Sequence, residues 1–258
     1  MSGSYSISLC DGPTPVPVAI EECEEILKRG LSDRQAEALV RHSLASLVAM
    51  SGDFDRARSL YREARATLED LGAVVVAAST SLTSGRIELL AGDAAAAEQE
   101  LRRDHDRLVE LGELYYRPLV TAMLAQALYA QGRYQEAGEL AATAAELAAD
   151  DDVEPQALWR SVRAKVLATG GEFDEAVTLG REAVELLSAT DAVFVQAEAL
   201  VDLAEVLGLA DRSDEARTAL EQARELCGLK QIMALANRVE ARLGGLDAVG
   251  RQASGYGV

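Results

Sequence analysis

Leu44, Leu47 and Val48 form one apolar stripe, a short polar interruption follows, and Leu60, Ala64 and Leu68 resume the stripe at i, i+4 and i+8. Spacings of three and four place side chains on one face of a helix. Leu140, Ala144 and Leu147 repeat the pattern further on, as do Leu220, Ala223 and Cys227. The pattern predicts pairs of amphipathic helices joined by tight turns.

The interruptions are copies of one another. Gly52-Asp53-Phe54-Asp55-Arg56-Ala57 recurs as Gly92 to Ala97, Gly132 to Ala137 and Gly171 to Ala176, with a weaker copy from Asp211 to Ala216. The closing alanines stand at 57, 97, 137, 176 and 216, an even period close to forty. Twelve residues before each of them come Ala45, Gly85, Ala125, Ala164 and Ala204; seven after come Ala64, Asp104, Ala144, Ala183 and Ala223. Small residues in register let two helices cross closely. The glycine then takes the left-handed position that ends a first helix, and the aromatic at 54, 134 or 173 covers the joint. Pro118 and Pro155 fall near the starts of first helices, where a missing N–H costs little.

Composition agrees with helix throughout. Ala, Leu, Glu and Arg dominate, whereas Trp, Phe and Tyr make up only 4% of the 258 residues. The expectation is an all-α protein.

Small residue, twelve positions, alanine, seven positions, alanine, with Gly-x-Tyr/Phe at the turn: this resembles the tetratricopeptide repeat (TPR), with helices longer than its usual 34-residue period allows. The resemblance implies a TPR-like right-handed α-solenoid of about five helix pairs. Terminal helices near 17–29 and 229–243 would close the ends. Three segments, Pro13-Thr-Pro-Val-Pro-Val-Ala-Ile-Glu-Glu-Cys-Glu-Glu-Ile-Leu27, Ala127-Leu-Tyr-Ala-Gln-Gly-Arg-Tyr-Gln-Glu-Ala137 and Gln156-Ala-Leu-Trp-Arg-Ser-Val-Arg-Ala-Lys-Val-Leu167, look like the C-terminal repeat region of bacterial multidomain regulators with cyclase-like and ATPase modules. The chain departs from the repeat pattern at Asp104 and Asp211. One domain is expected over 13–243, with residues 1–12 and 244–258 flexible because they are Gly/Ser-rich and lack periodicity.

Charge narrows the partners. Lys and Arg number 25 against 43 Asp and Glu, a net of -18. Phosphate backbones and anionic membranes are held by cations, so neither nucleic acid nor a membrane surface is an expected partner. No uncharged apolar run reaches 18 residues, and no signal peptide is evident. Cys10, Cys23 and Cys227 form no CxxC pair; Cys23 and Cys227 fit buried small positions. A cytoplasmic, reduced protein is expected.

Catalytic signatures are missing. No GxxxxGK[ST], HExxH or GxSxG segment occurs, and His42 and His105 are the only histidines. Neither a cofactor nor a metal site is expected. Asp104-His105-Asp106 reads as exposed helix surface, because adjacent helical residues diverge, and Asp150-Asp151-Asp152 as a solvated loop. Trp159 reads as a junction residue between repeats ahead of a ligand-stacking one.

Helical repeats stack into a superhelix with a concave recognition face, and the resemblance to tetratricopeptide proteins implies that the first helix of each pair lines it. The residue after the small column gives the rung Ser46, Arg86, Gln126, Lys165 and Glu205. His42 and Ser161 lie one turn earlier and Tyr129 one turn later. Arg86 and Lys165 either pair with neighbouring acids or receive a carboxylate or phosphate; two repeats apart, they suit an extended peptide better than a small anion. The function expected is a non-catalytic protein- or peptide-binding scaffold whose partner carries an acidic or carboxylate-bearing segment, with self-association left open. The alternative is a sensor arm that encloses a small ligand.

Overall fold

A computed structural model describes residues 2–254. Among them are fourteen helices and no strand. After α1 (Ser2–Asp11) and α2 (Val16–Arg29) come five hairpins: α3 (Arg34–Ser51) with α4 (Phe54–Asp70), α5 and α6 (Val74–Ser79, Ser81–Ala91) with α7 (Ala94–Glu110), α8 (Arg117–Ala130) with α9 (Tyr134–Leu147), α10 (Val153–Thr169) with α11 (Phe173–Ser188), and α12 (Val193–Leu209) with α13 (Ser213–Lys230). Helix α14 (Met233–Ser254) ends the chain. Each first helix packs on its own second helix and on those of the neighbouring repeats, giving the expected TPR-like solenoid.

The turns follow from their residues. Gly52 is left-handed at φ 98° and sends its N–H to the Ala49 carbonyl, while the Asp53 N–H returns to Val48. Asp53 then caps α4 by accepting from the Arg56 N–H at 3.2 Å, and Asp93 caps α7 from Ala96 at 3.0 Å. In the fifth repeat Asp211 takes the same left-handed position at φ 59° without being glycine. Phe54 packs into the core, but Tyr134 and Phe173 are 44% and 41% exposed and only edge their joints. The small columns lie at the helix crossings: Ala45, Ala125, Ala164 and Ala204 are buried. A Cβ on Gly85 would stand 2.8 Å from Leu101 Cδ1.

Several expectations are corrected. Residues 2–11 form a helix rather than a flexible segment, because Ser6, Leu9 and Cys10 share one stripe that buries against the fold. Residues 244–254 continue α14; 255–258 lie outside the described residues. The second repeat's first helix is broken at Thr80, where Ser79, Thr80 and Ser81 hydroxyls each donate to a carbonyl three residues back. The stretch 74–91 is long and apolar enough to cross a membrane, yet half of it is buried inside the solenoid. Asp104 is not surface: it is 1% exposed and accepts two hydrogen bonds from Arg65, at 2.5 and 2.8 Å. An acid can occupy a small-residue column because α4 supplies that guanidinium.

The solenoid closes on itself. Helix α14 packs on α13 and also on α3 and α6. At the end of α13 the Lys230 ammonium, fully buried, donates to the Leu9, Gly12 and Thr14 carbonyls at 3.1, 2.5 and 3.2 Å.

Candidate functional site

The inner faces of α6, α8, α10 and α12, with α14 across from them, enclose a half-open cavity of about 640 Å³. Four of the expected residues, Gln126, Tyr129, Lys165 and Glu205, line it. Three of them, Lys165, Tyr129 and Glu205, are linked around the wall. Lys165 Nζ is 2.7 Å from Asp202 Oδ1 and 5.0 Å from the Tyr129 ring centroid. The Tyr129 hydroxyl donates to Glu205 at 2.8 Å, and Glu205 receives Arg242 of α14 at 2.7 Å. Burial alone would raise the Glu205 carboxyl, but Lys165 and Arg242 beside it hold it below the ordinary carboxylate range. Burial, with Glu205 next to it, pushes the Tyr129 phenol up.

Arg86 and Ser161 line a smaller adjoining space with Gln126, Glu154 and Glu198. Arg86 reaches across to Glu154 at 3.2 Å, and its guanidinium stacks 4.9 Å from the Phe194 centroid, with Nε buried and lacking a partner. Glu198 stands between the two spaces, and burial pushes its carboxyl up to about 7.

His42 and Ser46 are not in either cavity. Ser46 is buried, and His42 Nε2 is buried without a partner. Burial holds the imidazole down at about 4 despite a favourable contact with the Thr80 backbone. His42 lies against Thr80 of the second repeat, and α1 packs along α3 beside it: Cys10 Sγ donates to the Ser43 carbonyl at 3.1 Å and Ser43 Oγ to Ser6 at 3.1 Å. The expected continuous rung is thus cut at its N-terminal end. Arg86 and Lys165 take the first of their two alternatives and pair with acids of this chain.

Sequence reasoning missed Glu198, Asp202, Arg238 and Arg242. Glu198 and Asp202 sit four residues apart on the inner face of α12, with Asp202 one turn before expected Glu205, and were legible by periodicity. Helix α14 lies outside the repeat register, so nothing marked its arginines. The cavity wall carries three cations (Lys165, Arg238, Arg242) and three acids (Glu198, Asp202, Glu205). Among the described residues Arg238 has no carboxylate within ion-pair distance.

Other expected features sit away from the cavity. Cys10, Cys23 and Cys227 are free and buried, and burial pushes their thiols up to about 12, 11 and 12. The Trp159 N–H donates to Gln156, whose amide holds the Ala148 and Ala149 carbonyls, so the indole ties the junction between the third and fourth repeats. Among the described residues no group of three or more His, Cys, Asp or Glu is placed to hold a metal.

The tetratricopeptide-repeat family model matches residues 118–143 and 197–222, the third repeat and the fifth. No curated protein matches the sequence. Among solved structures, NprR in complex with its cognate peptide NprX is similar at TM-score 0.68 and 13% identity, covering 100% of this chain and 73% of that one. A Rap protein complexed with competence and sporulation factor is similar at 0.63 and 12%, covering 90% and 70%. PH0952 from Pyrococcus horikoshii, a signal transduction ATPase with a tetratricopeptide repeat sensor, is similar at 0.56 and 15%, over 88% of this chain and 34% of that one. These likenesses concern the fold, and with the repeat columns and turns they lead to one statement of kind: the chain carries tetratricopeptide repeats.

Proposed function

We propose that this protein is a non-catalytic peptide-binding module that takes a short peptide segment into the cavity between the first helices and α14. The cavity's volume falls within the ~300–1,000 Å³ range of ligand sites. The mixed wall carries the reading: an apolar small molecule would leave six ionisable groups facing it, whereas a peptide supplies both donors and acceptors. Lys165 and Arg242 are already engaged, which leaves Arg238 for a ligand carboxylate and Glu198 for a ligand N–H. The carboxylate-bearing partner expected from sequence is therefore retained, with Arg238 in place of Arg86 and Lys165. That NprR and a Rap protein were solved with peptide partners supports the reading by analogy.

Walls on two sides, with α14 opposite the first helices, favour a regulatory arm over an open scaffold. A place beside enzyme-like modules of a bacterial regulator, in a reducing cytoplasm, fits three buried free thiols and the resemblance noted above.

Panning phage-displayed random hexapeptides against the protein, then measuring the enriched peptides as synthetic ligands, tests the site. Ala130→Trp fills the cavity mouth from an exposed position and should weaken binding by more than about tenfold, ~1.4 kcal/mol. Arg238→Ala should weaken peptides with a free carboxylate more than their amides. Peptides that bind Ala130→Trp as tightly as the parent would move the site elsewhere.

A further inference from the structure

Apart from the cavity, the N-terminal end of the inner face is filled by the chain itself. Helix α1 has ten residues, shorter than the ~12–15 at which an isolated helix becomes even marginally stable in water. Its buried stripe is narrow: Ser6, Leu9 and Cys10 are covered, while Tyr5 and Ile7 are 49% and 48% exposed. It packs on α3, the helix whose His42 and Ser46 were expected to face a partner. Asp11, at its C-terminal end, and Cys10 are within electrostatic reach of Arg86. Few bonds fasten it: Cys10 Sγ to the Ser43 carbonyl and Ser43 Oγ to Ser6 on the α3 side, the Tyr5 hydroxyl to Glu22 of α2, and Lys230, whose three carbonyl acceptors include Leu9 of α1 and Gly12 just after it. An ammonium at a helix C-terminus is favourable, but burying it costs much of what those bonds return.

We infer that the α3 face under α1 is a docking site for a short amphipathic helix, and that α1 is the occupant supplied by this chain, held in place loosely enough to be displaced. The matching partner helix carries a small or apolar residue at i, i+3 and i+4 and an acid directly after, as Ser6, Leu9, Cys10 and Asp11 do. The acid answers Arg86. Whether the inner cavity binds a peptide does not enter, and Ala130→Trp, which blocks that cavity, should leave the following measurements unchanged.

Two measurements on the full-length protein test the inference. In native-state hydrogen exchange, the amides of residues 6–12 should exchange by local opening about 100-fold or more faster than those of residues 44–50 in α3. Exchange of both segments at one rate, in a single global event, would make α1 an integral part of the core and overturn the inference. In the second, Leu9→Asp evicts α1 from the intact chain. A fluorescein-labelled peptide of residues 2–13 should then bind this variant at least about tenfold more tightly than it binds the parent, whose own α1 competes in cis. The same peptide carrying Leu9→Asp should not bind. A folded Leu9→Asp protein that ignores the parent peptide overturns the docking site; should that variant fail to fold, the exchange result on the parent decides alone.

Discussion

Replacing Glu198 by Gln should stabilise the protein strongly at pH 8 and only slightly at pH 5. Glu198 sits on α12 among Arg86, Lys165 and Arg238, which favour its charge, and Asp202, which opposes it. Burial outweighs all of these and pushes the carboxyl up to about 7 from an ordinary 4.5. Below pH 4.5 folded and unfolded chains both hold the proton, and nothing is lost. Between 4.5 and 7 only the folded chain holds it, so stability falls as pH rises, and above 7 the full penalty remains. At about 1.4 kcal/mol per pH unit the penalty is roughly 3 kcal/mol at pH 8 and under ~1 kcal/mol at pH 5. Gln keeps the shape and cannot ionise, so it removes that penalty. His42 contributes the opposite slope: burial holds it near 4, the unfolded imidazole takes up its proton below 6.5, and stability falls as pH drops between those values. The two slopes oppose one another over pH 4.5–6.5, and Glu198→Gln should uncover the histidine one. Urea midpoints followed by helical circular dichroism, at several pH values and with slopes compared, would measure this. A Gln effect of equal size at pH 5 and pH 8 would refute a burial-raised carboxyl.

Asp104→Ala should cost ~1–3 kcal/mol, because it takes from the Arg65 guanidinium its buried two-bond partner and leaves it only the exposed Glu69 carboxylate. Asp104→Ala combined with Arg65→Met restores a small residue to the column and should recover most of that loss in a double-mutant cycle; additive losses would contradict the pairing. Asp211→Gly should raise stability by ~0.5–1 kcal/mol, since its φ of 59° is free of cost only for glycine. An unchanged or lower urea midpoint would mean that the Asp211 side chain contributes more than its backbone strain costs.

The repeat was legible because it is written in local chemistry. A glycine fixes each left-handed turn, an aspartate caps the next helix, and a small residue marks each crossing. Each of these works through neighbours on the same hairpin, so period and column were enough to place five hairpins. Asp104 shows where that logic stops. Its place in a small column was visible, but the partner that makes the place tenable, Arg65, lies 39 residues back on a different helix. Counting directions along α7 suggested a solvated surface because the guanidinium lay outside the helix being read.

The inner face was harder to read for a related reason. Whether a cation on the concave rung is free depends on how far the solenoid turns per repeat, and that small rotation accumulates across repeats. Arg86 meets an acid 68 residues on, Tyr129 one 76 residues on, and Lys230 finds a carbonyl 221 residues back. A chain with 43 acids against 25 bases offers a counter-charge in nearly every repeat. Once the axis is tight enough for opposite walls to touch, an inward cation is therefore paired by the chain before any partner arrives. Binding must then either use a cation of the cavity wall that has no acid within ion-pair distance among the described residues, Arg238, or displace something the chain has already placed on the inner face, as α1 is placed on α3.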